Sequence, residues 1–261
     1  MSTVLPPTCP SGHRLLDGKR VLVTAAAGTG IGFATARRCA EEGATVMLSD
    51  QHAKRLAEYA ELLEEETARK VPSIVCDVTD EAQVQAMFEA ANTRMGGIDV
   101  LVNNAGLGGT TRLVEMTDEQ WSRVLDVTLN GTFRCVRAGL RHMIARRRGS
   151  IVNVGSAVGW RAQAGQAHYA AAKAGVHALT RCAAIEGAEA GVRVNAVVPS
   201  LVLHPNLVKV SSEDFLRSLI EKEAMKRSAE AWEVANVIVF LASDYASYLT
   251  GEAISVSEQH A

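Results

Sequence analysis

Short apolar runs alternate with longer stretches of helical periodicity along this chain, and no other feature of the sequence restricts the fold as much. The runs at residues 20–24, 45–50, 73–77, 100–103, 150–155, 193–198 and 253–256 are brief, and several are rich in valine and isoleucine. Strands covered on both faces have that composition, because neither face meets water. Helical patterns at 31–42, 81–95, 118–145, 167–190 and 231–241 lie between them. Repeated strand–helix–strand units close into a parallel sheet with helices on both sides. The expectation is an α/β fold with a doubly wound, mostly parallel, seven-stranded sheet. It would occupy residues 18–261 as a single domain, since 261 residues can bury one sizeable core and no repeat or linker interrupts them. Residues 1–17, with Pro6, Pro7 and Pro10, read as a flexible N-terminal arm.

The segment 204–227 breaks the rhythm. It is a long insertion after the sixth strand and carries its own amphipathic stretch at 213–222. Ligands of doubly wound sheets sit beyond the carboxyl ends of the strands, so this segment reads either as a lid over substrate or as decoration.

A formal net charge of -2 gives no reason to expect nucleic acid or an anionic membrane as partner. The run Arg146, Arg147, Arg148 reads as a solvated helix end. Five scattered cysteines without CxxC spacing read as reduced thiols, mostly core filler. No apolar stretch is long enough to span a bilayer and no secretory h-region is visible, so a cytoplasmic protein is expected. The seven histidines show no metal-ligand spacing, and no metal is expected.

The first strand runs into Ala25-Ala26-Ala27-Gly28-Thr29-Gly30-Ile31-Gly32 and then a helix. Glycines there let backbone approach a pyrophosphate, and the helix N-terminus offers free N–H groups and a positive dipole end. Asp50 ends the second strand, 18 residues after Gly32. An acid at that place suits the ribose hydroxyls of adenosine and repels a 2′-phosphate, which favours NAD over NADP. Lys54 and Arg55 are expected to face water. Asp77 closes the third strand and reads equally as an adenine contact and as a helix cap before Thr79-Asp80-Glu81.

Tyr169 and Lys173 are four apart on one helix face, and Ser156 lies at the end of the fifth strand, 13 residues upstream of the tyrosine. A right-handed crossover places all three above one sheet edge. A free phenol titrates near ~10, and an ammonium about 4 Å away supplies ~4 kcal/mol at an effective dielectric of ~20. Lys173, helped by the positive nicotinamide ring, can therefore bring Tyr169 to a pKa useful for acid–base work, while Ser156 stabilises charge on a substrate oxygen. Tyr-x-x-x-Lys alone is common by chance; the upstream serine and the nucleotide loop give it meaning.

With Asn103-Asn104-Ala105-Gly106, Ser156, Tyr169-Ala170-Ala171-Ala172-Lys173 and Phe240-Leu241-Ala242-Ser243-Asp244, the chain resembles the short-chain dehydrogenase/reductase family over about residues 19–257. The resemblance implies a Rossmann fold and a homotetramer or homodimer, with 118–145 and 167–190 at the main interface. It implies Ser156, Tyr169 and Lys173 as catalytic groups. The cofactor contacts would be Gly28, Thr29, Gly30, Ile31, Asp50, Asp77, Val78 and Asn104, with Tyr169 and Lys173 again.

Four departures from the family pattern stand out. The first glycine of its loop is Ala25 and one residue is inserted, so Gly28 is expected to take over the turn. The family's catalytic Asn aligns with Thr128, so either Thr128 holds a water in its place or the helix backbone suffices; Asn130 lies about 200° around the helix and should not substitute. The usual Pro-Gly is Pro199-Ser200, and a nicotinamide-binding Thr is replaced by His204, which reads equally as a ligand contact and as a loop histidine in water. The C-terminal Val-Asp-Gly-Gly is Val256-Ser257-Glu258-Gln259.

Trp160 and Arg161, between Ser156 and Tyr169, should border the substrate as an apolar wall and an anion contact; for Trp160 a packing anchor is the even alternative. Lys209, Arg217, Lys222, Lys226 and Arg227 give the lid a basic excess that can meet phosphates. Ala-Ala-Ala-Gly-Thr-Gly-Ile-Gly, Gly-Trp-Arg-Ala-Gln and Ser-Tyr-Leu-Thr-Gly-Glu-Ala-Ile-Ser-Val-Ser resemble an actinobacterial subgroup linked to steroid-ring breakdown. That resemblance implies a small-molecule substrate, a secondary alcohol or ketone on a bulky hydrophobic CoA thioester. Two other functions compete. A 3-oxoacyl-[acyl carrier protein] reductase usually takes NADPH, which Asp50 disfavours. A non-catalytic dinucleotide sensor on the same fold is disfavoured by the intact Ser156, Tyr169 and Lys173.

Overall fold

The computed structural model describes residues 7–203 and 213–258. Its strands are β1 (Arg20–Val23), β2 (Thr45–Asp50), β3 (Ser73–Val75), β4 (Val100–Asn103), β5 (Gly149–Val154), β6 (Val192–Pro199) and β7 (Ala253–Val256). They form one sheet in the order β3-β2-β1-β4-β5-β6-β7. Every pairing is parallel, so the expected doubly wound sheet has no antiparallel edge among the described residues. The order reverses between β1 and β4, and the crevice that opens there at the carboxyl ends is where such sheets bind ligands.

The helices are α1 (Ile31–Glu41), α2 (Ala53–Thr67), α3 (Glu81–Met95), α4 (Asp118–Leu125), α5 (Gly131–Arg146), α6 (Ala167–Ala188), α7 (Glu213–Ile220) and α8 (Ala231–Ala242). Helix α2, which carries Lys54 and Arg55, buries only Leu56, Ala60 and Leu63, a narrow stripe in a charge-rich sequence. The helix expected at 118–145 is broken by a π-helical turn, Asp126–Asn130. The break turns Thr128 fully into the interior and brings Gly131 so close to Val78 that a Cβ there would lie 2.5 Å from its methyl. Such turns insert one residue and often mark functional positions.

Alternate strand residues feed two cores, as the pleat requires. Val21, Val23, Val46, Leu48, Val100, Val102, Val152 and Val154 join α1, α2 and α8 on one face. Leu22, Met47, Leu101 and Ile151 point to the other, against α3, α5 and α6. The turns that deliver these helices are chemically specified. Asp80 accepts from the N–H groups of Ala82 and Gln83 to start α3, and Thr117 with Gln120 forms a capping box for α4.

Of the expected flexible arm, residues 1–6 lie outside the described residues, and the rest has contacts with the body of the fold. Leu16 is fully buried in the first core. Glu42, also fully buried, accepts from the N–H groups of His13 and Leu15 at 2.9 Å each and pairs with Arg38 at 2.8 Å. Arg38 in turn donates to the carbonyls of Pro10 and Ser11. The run Arg146–Arg148 is likewise more than a solvated helix end. Arg146 and Arg148 converge on Asp99, which also holds Arg20 at 2.6 Å. All five cysteines are free thiols, and three of them are buried. Among the described residues, no helix is long and apolar enough to cross a membrane.

Removing one partner of a buried ion pair strands the other, at a cost of about 3–5 kcal/mol. Glu42→Gln should therefore lower unfolding stability in denaturant titration by about 3 kcal/mol and expose the segment before Leu16 to proteolysis. An unchanged midpoint with an uncleaved segment would show that the pair does not hold it.

Candidate active site

The groups expected to act on a ligand meet at the carboxyl ends of the central strands. After β1 the chain turns through Ala25, which itself takes a left-handed φ of 48°. This corrects the expectation that Gly28 takes over the turn. Gly28 supplies a second unusual conformation, φ 138°, further along. A Cβ added at Gly28 or Gly30 would meet nothing within 4 Å among the described residues, so they leave room beside the loop. At Gly32 the reverse holds: a Cβ would fall 2.4 Å from the Ala25 carbonyl and 2.5 Å from the Asn104 amide. Gly30 caps α1 without any side-chain bond, which leaves the N–H groups at this helix start unanswered by a side chain. An open glycine loop and an uncapped helix N-terminus fit a pyrophosphate. Thr29 and Ile31 lie on the same turn.

The loop is braced from the neighbouring strand. Thr24 Oγ1 accepts from the N–H groups of Asn104 and Ala105 at 3.0 and 3.2 Å, and Asn104 Nδ2 donates to the Ala25 carbonyl at 2.9 Å. Asn104 thus spends its amide on shaping the loop. Asn103 donates to Asn153 at 2.8 Å, and Asn153 donates to Thr180 on α6 at 2.9 Å. This buried chain of amides locks β4, β5 and α6 in register.

Asp50 is 4% exposed. Its Oδ2 accepts from the Ala27 N–H at 3.2 Å and its Oδ1 from the His52 N–H at 3.0 Å. Arg55 does not simply face water as expected; it reaches back to Asp50 Oδ1 at 3.2 Å. A carboxylate draws the nearest guanidinium within reach, and the first turn of α2 supplies it. Asp77 is not the helix cap, a role Asp80 fills. Its Oδ1 accepts from the N–H and hydroxyl of Thr79 at 2.9 and 2.8 Å and fixes the turn one step earlier. The side chain of Val78 is buried in the second core beside Gly131, so the main chain is what this position offers a ligand.

Ser156 follows β5 in extended conformation, 8% exposed, and its hydroxyl accepts from the Val158 N–H at 3.3 Å. Tyr169 and Lys173 stand in the first two turns of α6, and His168 Nδ1 accepts the Tyr169 N–H at 2.9 Å. Lys173 is 3% exposed, and its Nζ donates to the carbonyl of Val154 at 2.6 Å, two residues before Ser156. The same Nζ lies 5.6 Å from the centroid of the Tyr169 ring. Hydroxyl, phenol and amine are therefore gathered where α6 meets the end of β5.

The electrostatics differ from expectation. Burial pushes the Tyr169 phenol above its ordinary value, opposed by its hydrogen bond to Ser156. Lys173 Nζ gives one of its three donors to Val154 and keeps its charge 5.6 Å from the centre of the phenol ring. Burial lowers the Lys173 amine itself to about 8.

Thr128 does not stand ready for a water. Its hydroxyl accepts from the Leu107 N–H at 2.9 Å and donates to the Leu107 carbonyl at 3.1 Å, which ties the loop after β4 to the π-turn. Asn130 is exposed and bonded to Asp126, away from the site. Trp160 is 50% exposed, and its ring lies 5.2 Å from that of His177. Arg161 follows it on the same turn. His204 and Lys209 lie outside the described residues. Arg227 is not available to a ligand, since it pairs with Glu233 at 2.6 Å. The turns after α7 are anchored where Ser200 donates to Glu223 at 3.2 Å and Glu258 accepts from the Met225 N–H at 2.6 Å. His177 was not singled out from the sequence, although its spacing of four from Lys173 was visible.

A family model described as Enoyl-(Acyl carrier protein) reductase matches residues 25–258. The chain is 58% identical, over the full length of both proteins, to the (5R,7aS)-5-hydroxy-7a-methyl-1-oxo-2,3,5,6,7,7a-hexahydro-1H-indene-carboxyl-CoA reductase of Mycobacterium tuberculosis. It is 41% identical to a 3-oxoacyl-[acyl-carrier-protein] reductase of Thermotoga maritima, over 92% of this chain and 97% of that protein. A crystal structure of a short chain dehydrogenase from Mycobacterium smegmatis superposes with a TM-score of 0.87 at 53% identity, covering 98% of each chain.

A buried cation whose folded pKa lies below its unfolded value costs stability at every pH below the folded value. For Lys173 the cost is complete below about pH 8 and fades as pH rises to the ordinary 10.5. In dinucleotide-free protein, Lys173→Met should raise stability at pH 7 by on the order of 2 kcal/mol, the relieved burial less one lost hydrogen bond. The gain should shrink in titrations repeated toward pH 10.5. A loss of similar size at pH 7 would contradict the burial cost.

Proposed function

The chain belongs to the short-chain dehydrogenase/reductase family, and on that footing we propose that it interconverts a secondary alcohol and a ketone on a bulky, ring-bearing acyl group carried as a CoA thioester, using NAD(H). The family works with a nicotinamide dinucleotide, which when bound supplies the hydride acceptor or donor. The protein's own groups do the rest. The Tyr169 phenol exchanges a proton with the substrate oxygen. The Ser156 hydroxyl, already bonded to that phenol, also holds the substrate oxygen. Lys173 holds the ribose and favours the phenolate by its charge. The gathering of these three groups at the end of β5 supports the chemistry. The full-length likeness to the Mycobacterium tuberculosis CoA-thioester reductase is the single observation that carries the substrate class.

Asp50 supports NAD over NADP, because a 2′-phosphate would be brought beside a buried carboxylate. Arg55 shares that carboxylate and moderates the repulsion. The half-exposed Trp160 suits an apolar ring system, and Arg161, Arg217 and Lys222 suit the phosphates of CoA. Exposed Trp121, Phe133 and Ile185 on α4, α5 and α6 support a homotetramer or homodimer. Free thiols suit a cytoplasmic setting. One second reading has an observation in its favour: the Thermotoga maritima relative and the matched family model point toward acyl chains on acyl carrier protein.

Turnover with a ring-bearing keto- or hydroxyacyl-CoA should exceed that with the free acid and with a 3-oxoacyl-carrier protein. NADH should be preferred to NADPH roughly tenfold in kcat/KM, the equivalent of about 1.4 kcal/mol. Equal rates on free acid and CoA ester would remove the thioester from the reading. Preference for acyl carrier protein with NADPH would install the second one.

A further inference from the structure

His177 lies on α6 one turn beyond Lys173 and two beyond Tyr169. It is 2% exposed, and neither of its ring nitrogens has a hydrogen-bond partner among the described residues. An unanswered buried polar group is costly, and leucine would fill such a place without that cost. The surroundings are cut to the imidazole. A Cβ at Gly155 would fall 2.5 Å from Nε2, and one at Gly159 would fall 2.8 Å from Cε1. These two glycines bracket the turn that carries Ser156. The next residue, Trp160, lays its ring 5.2 Å from the imidazole at a tilt of 50° and leaves half its surface in solvent. Burial, with Lys173 and Arg181 nearby, lowers the imidazole pKa to about 4, so the ring is neutral near pH 7 and adds no charge beside Lys173.

We propose that His177 is a positioning residue for substrate. Its ring is the floor on which the turn Ser156–Trp160 rests, and through Trp160 it sets how the apolar body of the substrate seats beside the reacting oxygen. It touches neither the dinucleotide nor the transferred proton. The inference rests on the reading of Ser156 and Trp160 given above and assigns the support that this reading lacks.

A double-mutant cycle tests it, with NADH binding measured separately by fluorescence. His177→Ala should raise the substrate KM about tenfold, change kcat less than about threefold, and leave NADH affinity unchanged. Trp160→Ala should raise KM similarly, and the double variant should be no worse than either single one. Millimolar imidazole should restore KM in His177→Ala by refilling the space, but not in Trp160→Ala. If His177→Ala does not fold, His177→Gln takes its place in the same cycle, with melting temperature recorded.

Additive effects of the two substitutions would overturn the proposal, because His177 would then not act through Trp160. So would a loss confined to kcat or to NADH affinity, or no change at all. The cycle can be run on whatever ketone the enzyme reduces, so failure of the CoA-thioester assignment leaves it intact. If the ketone reduction itself survives loss of the Tyr169 hydroxyl, the underlying reading fails instead.

Discussion

The amine of Lys173 is buried against the carbonyl of Val154, and the rest of the site is arranged around that contact. It ties the second turn of α6 to the last residue of β5. Ser156 follows that strand by two residues, and Tyr169 precedes the lysine by one helical turn, so a single bond brings hydroxyl, phenol and amine together. The arrangement is costly, because burial disfavours the charged amine and the ionised phenol alike. A fold holds such groups only where its frame is stiff. Here the frame is the buried amide chain Asn103–Asn153–Thr180, which crosses from β4 through β5 to α6.

The same economy governs the dinucleotide end. Asn104 and Thr24 fasten the loop after β1 to the end of β4, and Gly32 lets the helix approach where no Cβ would fit. Ala25 tolerates a left-handed conformation that glycine adopts freely, at a cost of roughly 1 kcal/mol. The loop keeps its shape because its neighbours over-determine it. Thr128 follows the same logic: its hydroxyl is a brace for Leu107, so the π-turn positions the loop after β4 instead of presenting a side chain to solvent.

Much of this was legible in the sequence. The valine-rich runs locate the strands to within one or two residues, because the central ones are covered on both faces. The crossover from Ser156 to Tyr169 follows from parallel topology alone. What could not be read depended on partners distant in sequence. Leu16 and the segment before it look like a loose arm until Glu42 and Arg38 come from α1 to hold them. Arg55 reads as a surface cation until Asp50 is placed beside it. Helix α2 hides its narrow buried stripe among charges, and the π-turn has no local signature because tertiary packing imposes it. The direction of the Tyr169 shift could not be read because spacing shows the nearby cation but not the depth of burial.

The central proposal is that the Tyr169 phenol exchanges a proton with the substrate oxygen. Its most direct test is the turnover number of Tyr169→Phe at saturating substrate, with NADH affinity determined by fluorescence on the same protein. The account predicts a fall of at least about a hundredfold, as expected when a general acid–base group is removed, with the dinucleotide still bound. Turnover at the parent rate with the dinucleotide still bound would contradict it.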